Sequence, residues 1–538
     1  MSEFSSVTQQ ELIFAEVPLE KLSLLTKEEL IILFKGEQSL RIQLQKDVEN
    51  LRGLKEELKQ KSYTVGELLI TVKNKLFGRS SERSPKPQSE AKSSGTKKNK
   101  KKRVLLPSQR YPDAPLIERH VTLDALPTCD CCGTEMHDTG MTEDSEYLTV
   151  IPKQHLVVRQ MCHKYGCSKC HGDIQTAPAP PKIIEGGAYS DEMVIDVSLS
   201  KYCDLIPIER YAAIAGREGL KDLPPQSLIE GSHRLSSFVR PAYDRLKTEI
   251  TSSLVWHADE TPHRMLEGSP IMNWYLWGFS TQTASYFECH STRSGDVASA
   301  LLLNSRCQFL VSDVFSGYSK AVKDVNKVRL EQKLELILNV YCNAHSRRKY
   351  DEADNIFEQL IENTKNTEER ASLEAARKEV QFFLSQYRRV YRLEALAKEH
   401  PEKKVKIRER MKKYFEKMQI KALKDMAGYS SKSSFGKAMS YFLKNYEGLT
   451  RFLTNIDLPI DNNSQERLLR NPVIGRKTWY GTHSKLGAQT AAILFSLVES
   501  CKLNKINPRE YFRKLIEALH QGKPAFTPWE YKQSLAPP

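Results

Sequence analysis

Between Leu30 and Val72 apolar residues recur at alternating steps of three and four, through Leu33, Leu40, Leu44, Leu51, Leu54, Leu58, Val65 and Leu68. Glu37, Asp47 and Lys61 fall on the same seam. This heptad pattern predicts a coiled-coil, leucine-zipper-like helical region over residues 1–77. Polar seam residues can set the register of a self-associating helix; the same stripe could also fold back on its own chain. From Ser190 to about Ser252 the periodicity is again helical, and the break at Pro224–Pro225 separates two halves. That arrangement suits a helix-turn-helix DNA-binding unit over 183–252, or ordinary helix packing.

The period changes at Ser253. The runs SSLVWHAD, NWYLWGFST, ASYFECHST and CQFLVSD are short and rich in β-branched and aromatic residues, and GDVASALLLN reads as a helix between the last two. Strands interrupted by a helix predict an α/β sheet domain. Residues 343–448 carry charges on most turns and no strand signal, so they predict a helical insertion. The C-terminal part from Asp461 to about Gln521 is helical again, and no internal repeat of fixed period is present. The predicted layout is a multidomain α plus α/β chain. A catalytic core over 253–342 and 449–500 follows the helical region, the insertion divides that core, and 501–538 forms a helical tail.

With 538 residues and 40% hydrophobic content, the chain is too long for one core and apolar enough to fold. The net charge of +14 is concentrated. Gly78 to Arg110 holds eleven Lys and Arg against two Asp and Glu, a net +9. Residues 78–115 therefore read as a basic linker, poor in large apolar residues, that suits a polyanion such as DNA or simply keeps the chain soluble. No apolar run approaches the roughly 20 residues that span a bilayer, and the N-terminus lacks a signal-peptide pattern. A cytoplasmic, nucleoid-associated protein without a membrane partner is expected.

Six of the eleven cysteines crowd between Cys129 and Cys170, while the other five are scattered. Cys129 with Cys132, and Cys167 with Cys170, form two CxxC pairs separated by 34 residues. Two such knuckles place four thiolates around one tetrahedral, structural Zn²⁺, which predicts a zinc-binding module over 116–182. Cys131, Cys162, His163 and His171 lie close enough in sequence to replace one of the four. A redox dithiol would not explain two matching pairs.

Asp259 ends an apolar run in LVWHADETPHR, just before a Thr-Pro break. Asp313 ends FLVSD, and Glu466 lies at a helix start in IDNNSQERLLRNPVIGRK. Acids at the ends of neighbouring strands, joined by one on a helix, can hold two hard cations for phosphodiester chemistry. Pattern alone does not separate these three from Glu260 or Asp461.

The motifs together resemble the transposases of the insertion sequence 66 family, which carry a DDE triad, and the resemblance covers nearly the whole chain. KNKLFGRSSERS, CDCCG, KYGCSKCHG, SKYCDLIPIERYAAI, HADETP, CNAHSRRKYDEA and the long run from IDNNSQERLLRNPVIGRK to NPREYF carry it. The family's usual CWAHARRK stands here as CNAHSRRK, with Asn343 and Ser346 differing, and its DxxxGY as DVFSGY. The resemblance implies a ribonuclease-H-like core with Asp259, Asp313 and Glu466 as the triad, binding Mg²⁺ or Mn²⁺. It implies cleavage at the ends of an insertion sequence, freeing a 3′-hydroxyl that attacks target DNA in line. Partners would be the terminal inverted repeats, target DNA, a second copy through the N-terminal helix, and small accessory proteins of the same element. His345, Arg347, Arg348, Lys349, Arg467, Arg470, Arg476 and Lys477 become candidate phosphate contacts. The alternatives are a catalytically inactive DNA-binding regulator and a purely hydrolytic nuclease of the same fold.

Overall fold

A computed structural model describes residues 106–112, 114–121, 125–136, 145–150, 153–166, 174–267 and 271–535, with positions 27, 38, 41–43, 45–50 and 53. The apolar heptad positions and almost all of the basic linker lie outside the described residues. Asp47 is in a helix and exposed. No helix of the described residues is long and apolar enough to cross a membrane.

The chain divides into two compact units. The smaller one joins residues 80–179 to 209–224. It contains a two-stranded antiparallel ribbon, β1 (Lys164–Gly166) with β2 (Ile174–Thr176). His155 bonds Glu218 within this unit (3.0 Å), and the Lys153 ammonium lies over the Tyr211 ring.

The larger unit joins residues 1–79, 180–208 and 225–538; its helix α1 (Asp191–Tyr202) has the N-cap Ser190, which accepts from the amide of Met193. The next helix, α2 (Ile208–Arg217), falls in the smaller unit except for Ile208; in the larger unit α3 (Pro225–Phe238) and α4 (Arg240–Thr251) lead to the sheet. β3 (Val255–Arg264), β4 (Asn273–Ser280) and β5 (Ser285–His290) form an antiparallel meander. Helix α5 (Asp296–Leu303) then crosses to β6 (Phe309–Ser312), and α6 (Ser316–Glu331) crosses to β7 (Leu338–Tyr341). Both β6 and β7 run parallel to β3, in the order β5-β4-β3-β6-β7. The fold is mixed α/β. The central strands bury Trp256, Ala258, Leu276, Phe279 and Leu310 completely or nearly so, and the mostly apolar α13 (Lys485–Leu503) packs along β5, where its Ser496 and Ser500 hydroxyls accept from the amides of Phe287 and Ser285.

Two features differ from the sequence reading. Asp259 does not end its strand, because β3 continues five residues further to Arg264. Pro262 is tolerated there because β3 pairs with β6 only over Val255–His257. Beyond that point one edge of β3 is released, and a residue without an N–H costs no ladder bond on that side. β7 also went unread: four residues with mixed burial carry too little periodicity.

After β7 the chain forms α7 (Asn343–Asn363), α8 (Thr367–Glu399), α9 (Lys404–Asp425), α10 (Ser434–Lys444) and α11 (Tyr446–Thr450). These helices have a core of their own around Tyr350, Phe383, Tyr387, Met411 and Phe415. The buried Arg408–Glu394 pair ties α9 to α8, and Arg408 also donates to the carbonyl of Leu458 (3.1 Å). The chain then returns to the sheet as α12 (Asn463–Trp479).

Candidate active site

β3 and β6 are parallel, and His257 pairs with Val311. Asp259 stands two residues further along β3, and Asp313 immediately follows the end of β6. Alternation along β3 puts Asp259 on the face that His257 occupies. His257 marks what covers that face: its Nδ1 lies 2.9 Å from Asn462 Oδ1 and 3.2 Å from Ser464 Oγ, at the start of α12. Asn462 Nδ2 donates to the carbonyl of Ala258 (2.9 Å), so its Oδ1 must be the acceptor and His257 Nδ1 the donor. The backbone amide of Asn462 donates to Cys342 Sγ at 3.2 Å, which brings in the start of α7.

Glu466 occupies the first turn of α12, four residues after Asn462. Across from Asp259 on β4 stands Gly278, and the space beside it is filled by Gln465 and Phe287. The missing side chain lets α12 seat closely over the sheet, with Gln465 fully buried next to Glu466. His345 Nδ1 and Arg348 Nη2 face the two oxygens of Glu466 at 3.6 and 3.8 Å.

The electrostatics follow from this crowding. Burial, followed by the charges of Glu260, Asp313 and Glu466, pushes the Asp259 carboxyl up to about 8. One Asp259 oxygen accepts from the Glu260 amide at 3.0 Å, and Asp313 Oδ1 accepts from the Phe315 amide at 3.0 Å. Glu466 Oε1 is buried without a hydrogen-bond partner. Burial holds His257 below the ordinary histidine range, so it serves as a neutral donor.

The two acids that pattern could not exclude have other duties. Glu260, with a side chain 2% exposed, binds Arg293 at 2.7 Å and accepts from the Tyr318 hydroxyl at 2.5 Å. Arg293 in turn stacks over Phe315. Asp461 accepts from the amide and side chain of Asn463 at the start of α12. Sequence reasoning missed His257, Arg293, Tyr318 and Asn462. For His257, Tyr318 and Asn462 the only signal was proximity to the acids within HADETP, DVFSGY and IDNNSQER, Arg293 had none, and neither short-range periodicity nor spacing reveals a hydrogen bond across 205 positions.

Of the candidate phosphate contacts, Arg347 pairs with Asp351 (3.2 Å), Lys349 lies over the Tyr441 ring, and Arg476 donates to Thr261 Oγ1 and the Pro262 carbonyl. Arg467, Arg470 and Lys477 are exposed.

Hard oxygens from Asp259, Asp313 and Glu466 suit Mg²⁺ or Mn²⁺. Glu466 Oε1, buried without a hydrogen-bond partner, and the Asp259 carboxyl, pushed up first by burial, are acid groups whose charge a hard cation would satisfy. Asp259, Asp313 and Glu466 do not bring their oxygens within 4.8 Å of one another; the set that does so among the described residues is Cys342, His345 and Glu466. It fits less well, since burial lifts the Cys342 thiol to about 12 and its sulfur already accepts from Asn462.

In the smaller unit, Gly133 at φ +69° turns the chain so that its amide donates to the Cys129 carbonyl (2.8 Å), and the Cys129 amide donates to Thr134 (2.8 Å). Hydrogen bonding from Thr134 lowers the Cys132 thiol below its ordinary value. This tight turn is compatible with a zinc knuckle. Cys131 and Cys162 are exposed, and His163 immediately precedes β1. Cys167, Cys170 and His171 lie outside the described residues.

Comparison with known proteins gives these features a class. Residues 186–490 match the family described as Transposase IS66 family, and residues 496–526 match the IS66 C-terminal element. A mixed α/β fold with that match defines a transposase-type protein. The chain belongs to the transposase IS66 family. It is similar to three proteins of Sinorhizobium fredii whose own functions are uncharacterized. Uncharacterized protein y4hP is 24% identical over 442 residues, covering 79% of this chain and 77% of the relative. For y4jD the figures are 24% over 423 residues, 75% and 78%, and for y4qI 25% over 430 residues, 75% and 74%.

Proposed function

We propose that the protein is a DNA transposase that cleaves at the ends of an insertion sequence and joins the freed 3′-hydroxyl to target DNA. Its ribonuclease-H-like core would carry Asp259, Asp313 and Glu466 as the acid triad. The observation that carries this reading is the burial of Asp259 on the central strand with acids around it: burial first, then the charges of Glu260, Asp313 and Glu466, pushes its carboxyl up to about 8. A protein that only binds DNA has no use for repelling carboxylates over its central strands.

Asp259, Asp313 and Glu466 would hold Mg²⁺ or Mn²⁺, which when bound neutralises charge on the attacking and leaving oxygens of the phosphodiester. The protein's own groups position and shield. His345 and Arg348 orient Glu466, and Asn462 holds its helix to β3. Glu260, Arg293 and Tyr318 brace the neighbouring backbone. Exposed Arg467, Arg470 and Lys477, with Arg347, Lys349 and Arg476 beside them, would meet phosphates near the scissile bond. Structural zinc on Cys129, Cys132, Cys167 and Cys170 would fold the smaller unit, and the N-terminal heptads would pair two copies.

The test is incubation of the purified protein with terminal-repeat DNA, target DNA and Mg²⁺. Strand transfer is the expected product. Cutting without joining would identify a hydrolytic nuclease, and binding alone a regulator; either outcome overturns the proposal.

A further inference from the structure

Helix α9, in the helical insertion, presents one face of cations. Ile407, Met411, Phe415, Met418 and Ala422 are buried along its inner side. Lys406, Arg410, Lys413, Lys417 and Lys424 are all exposed. At 3.6 residues per turn they lie within about 40° of a common line on the outer side, and at 1.5 Å per residue the line runs for about 27 Å.

Among the described residues none of the five has a carboxylate partner within ion-pair distance, whereas other cations of the insertion do. Lys421 pairs with Glu379 and Asp425 (2.8 Å to the latter), Arg377 with Asp354 and Glu358, and Arg370 with Glu374. Glu409 and Glu416, the exposed acids of the helix, lie on its flank about 60–80° from the line. On the opposite flank the cationic surface continues, with Arg389 of α8 stacked on Tyr414 of α9.

Such an arrangement works against the helix. Like charges three or four residues apart repel one another along the helix, and a merely solvated face gains by alternating sign instead. An uncompensated row of this length becomes favourable when an anion of matching length lies along it. Duplex DNA presents a phosphate every 3.4 Å on each strand, so about 27 Å of helix can face a run of several phosphates.

We propose that this face of α9 docks the sugar–phosphate backbone of duplex DNA outside the acid cluster, as a sequence-independent contact. The inference rests on the transposase reading for the source of the duplex but not on the triad chemistry.

The experiment uses full-length protein carrying Lys406→Gln, Arg410→Gln, Lys413→Gln and Lys417→Gln, and follows binding of a fluorescent duplex in chelator while NaCl is varied. Each lost phosphate contact removes about 0.9 from the slope of log affinity against log salt, so a fall of about 2–4 is expected, with affinity at least about tenfold weaker at moderate salt. A charge-matched control, Lys365→Gln, Lys378→Gln, Lys398→Gln and Lys437→Gln, neutralises exposed lysines elsewhere on the insertion and should leave the slope as it is. Equal slopes for the α9 variant and the unaltered protein would overturn the proposal, as would an equal fall in the control. Because no divalent metal is present, Asp259→Asn should bind like the unaltered protein. A failure of the cleavage reading would therefore appear only in the Mg²⁺ assay.

Discussion

His257 donates through Nδ1 to Asn462 Oδ1 at 2.9 Å, joining the strand that carries Asp259 to the residue that starts the helix carrying Glu466. Asn462 also holds the Ala258 carbonyl and the Cys342 sulfur, so three segments meet on one side chain and its amide. The spacing between the first and third acids of the cluster is set here. Asn462→Ala leaves a buried carbonyl and a buried imidazole N–H unsatisfied, a loss of about 1–3 kcal/mol. The expected result is a several-fold rise in the Mg²⁺ concentration needed for half-maximal cleavage. A lowered melting temperature with an unchanged Mg²⁺ midpoint would reduce Asn462 to a purely structural role.

Asp259→Asn, Asp313→Asn and Glu466→Gln each remove one oxygen charge while keeping shape. Cleavage and joining should fall by at least about a hundredfold, within the range seen when an electrostatic group is deleted from an active site. Binding to duplex DNA should persist. Near-normal joining in any of the three would remove that residue from the triad.

The raised Asp259 pKa predicts a pH dependence of stability. The folded protein holds a proton up to about 8, while the unfolded chain releases it near 4. Stability from this group is therefore complete below about 4 and declines as pH climbs toward 8. In chelator, the melting temperature of Asp259→Asn should decline less over that window than that of the unaltered protein. Added Mg²⁺ should raise the unaltered protein most at the alkaline end. Parallel profiles for the two proteins would contradict the charge crowding.

Gly278→Ala tests how closely α12 seats on the sheet. A Cβ there meets Gln465 Nε2 at 2.2 Å and Phe287 at 2.8 Å, so something must move. Overpacking of this kind costs about 1–3 kcal/mol. Because Gln465 precedes Glu466, catalysis should suffer beyond the lost stability, measured as a drop in cleavage rate at temperatures where the variant is fully folded. Full activity would show that α12 can shift without disturbing the acids.

Zinc retention distinguishes the two CxxC pairs from a redox dithiol. Metal analysis should find about one Zn²⁺ per chain, as expected for a closed four-thiolate site. Cys129→Ser with Cys132→Ser should lose it and expose the smaller unit to proteolysis. Undiminished zinc in that variant would assign the metal elsewhere.

Much of this protein was legible along the chain. The alternating runs around Trp256, Trp274 and Phe309 announced β3, β4 and β6 because inward and outward positions alternate locally. The charged periodicity after Asn343 announced the helices of the insertion, and the motifs around HADETP and IDNNSQER pointed to the family. What only the tertiary structure decided is which acids share a place. Glu260 stands next to Asp259 in sequence, yet it turns to Arg293 and Tyr318. Glu466, 207 positions beyond Asp259, adds its charge to the cluster around it. Sequence periodicity records which side of an element faces apolar surroundings. Whether two carboxylates repel depends on distance through space, and that distance is set by sheet register, by the close seating of α12 over Gly278 and by the hydrogen bonds of Asn462.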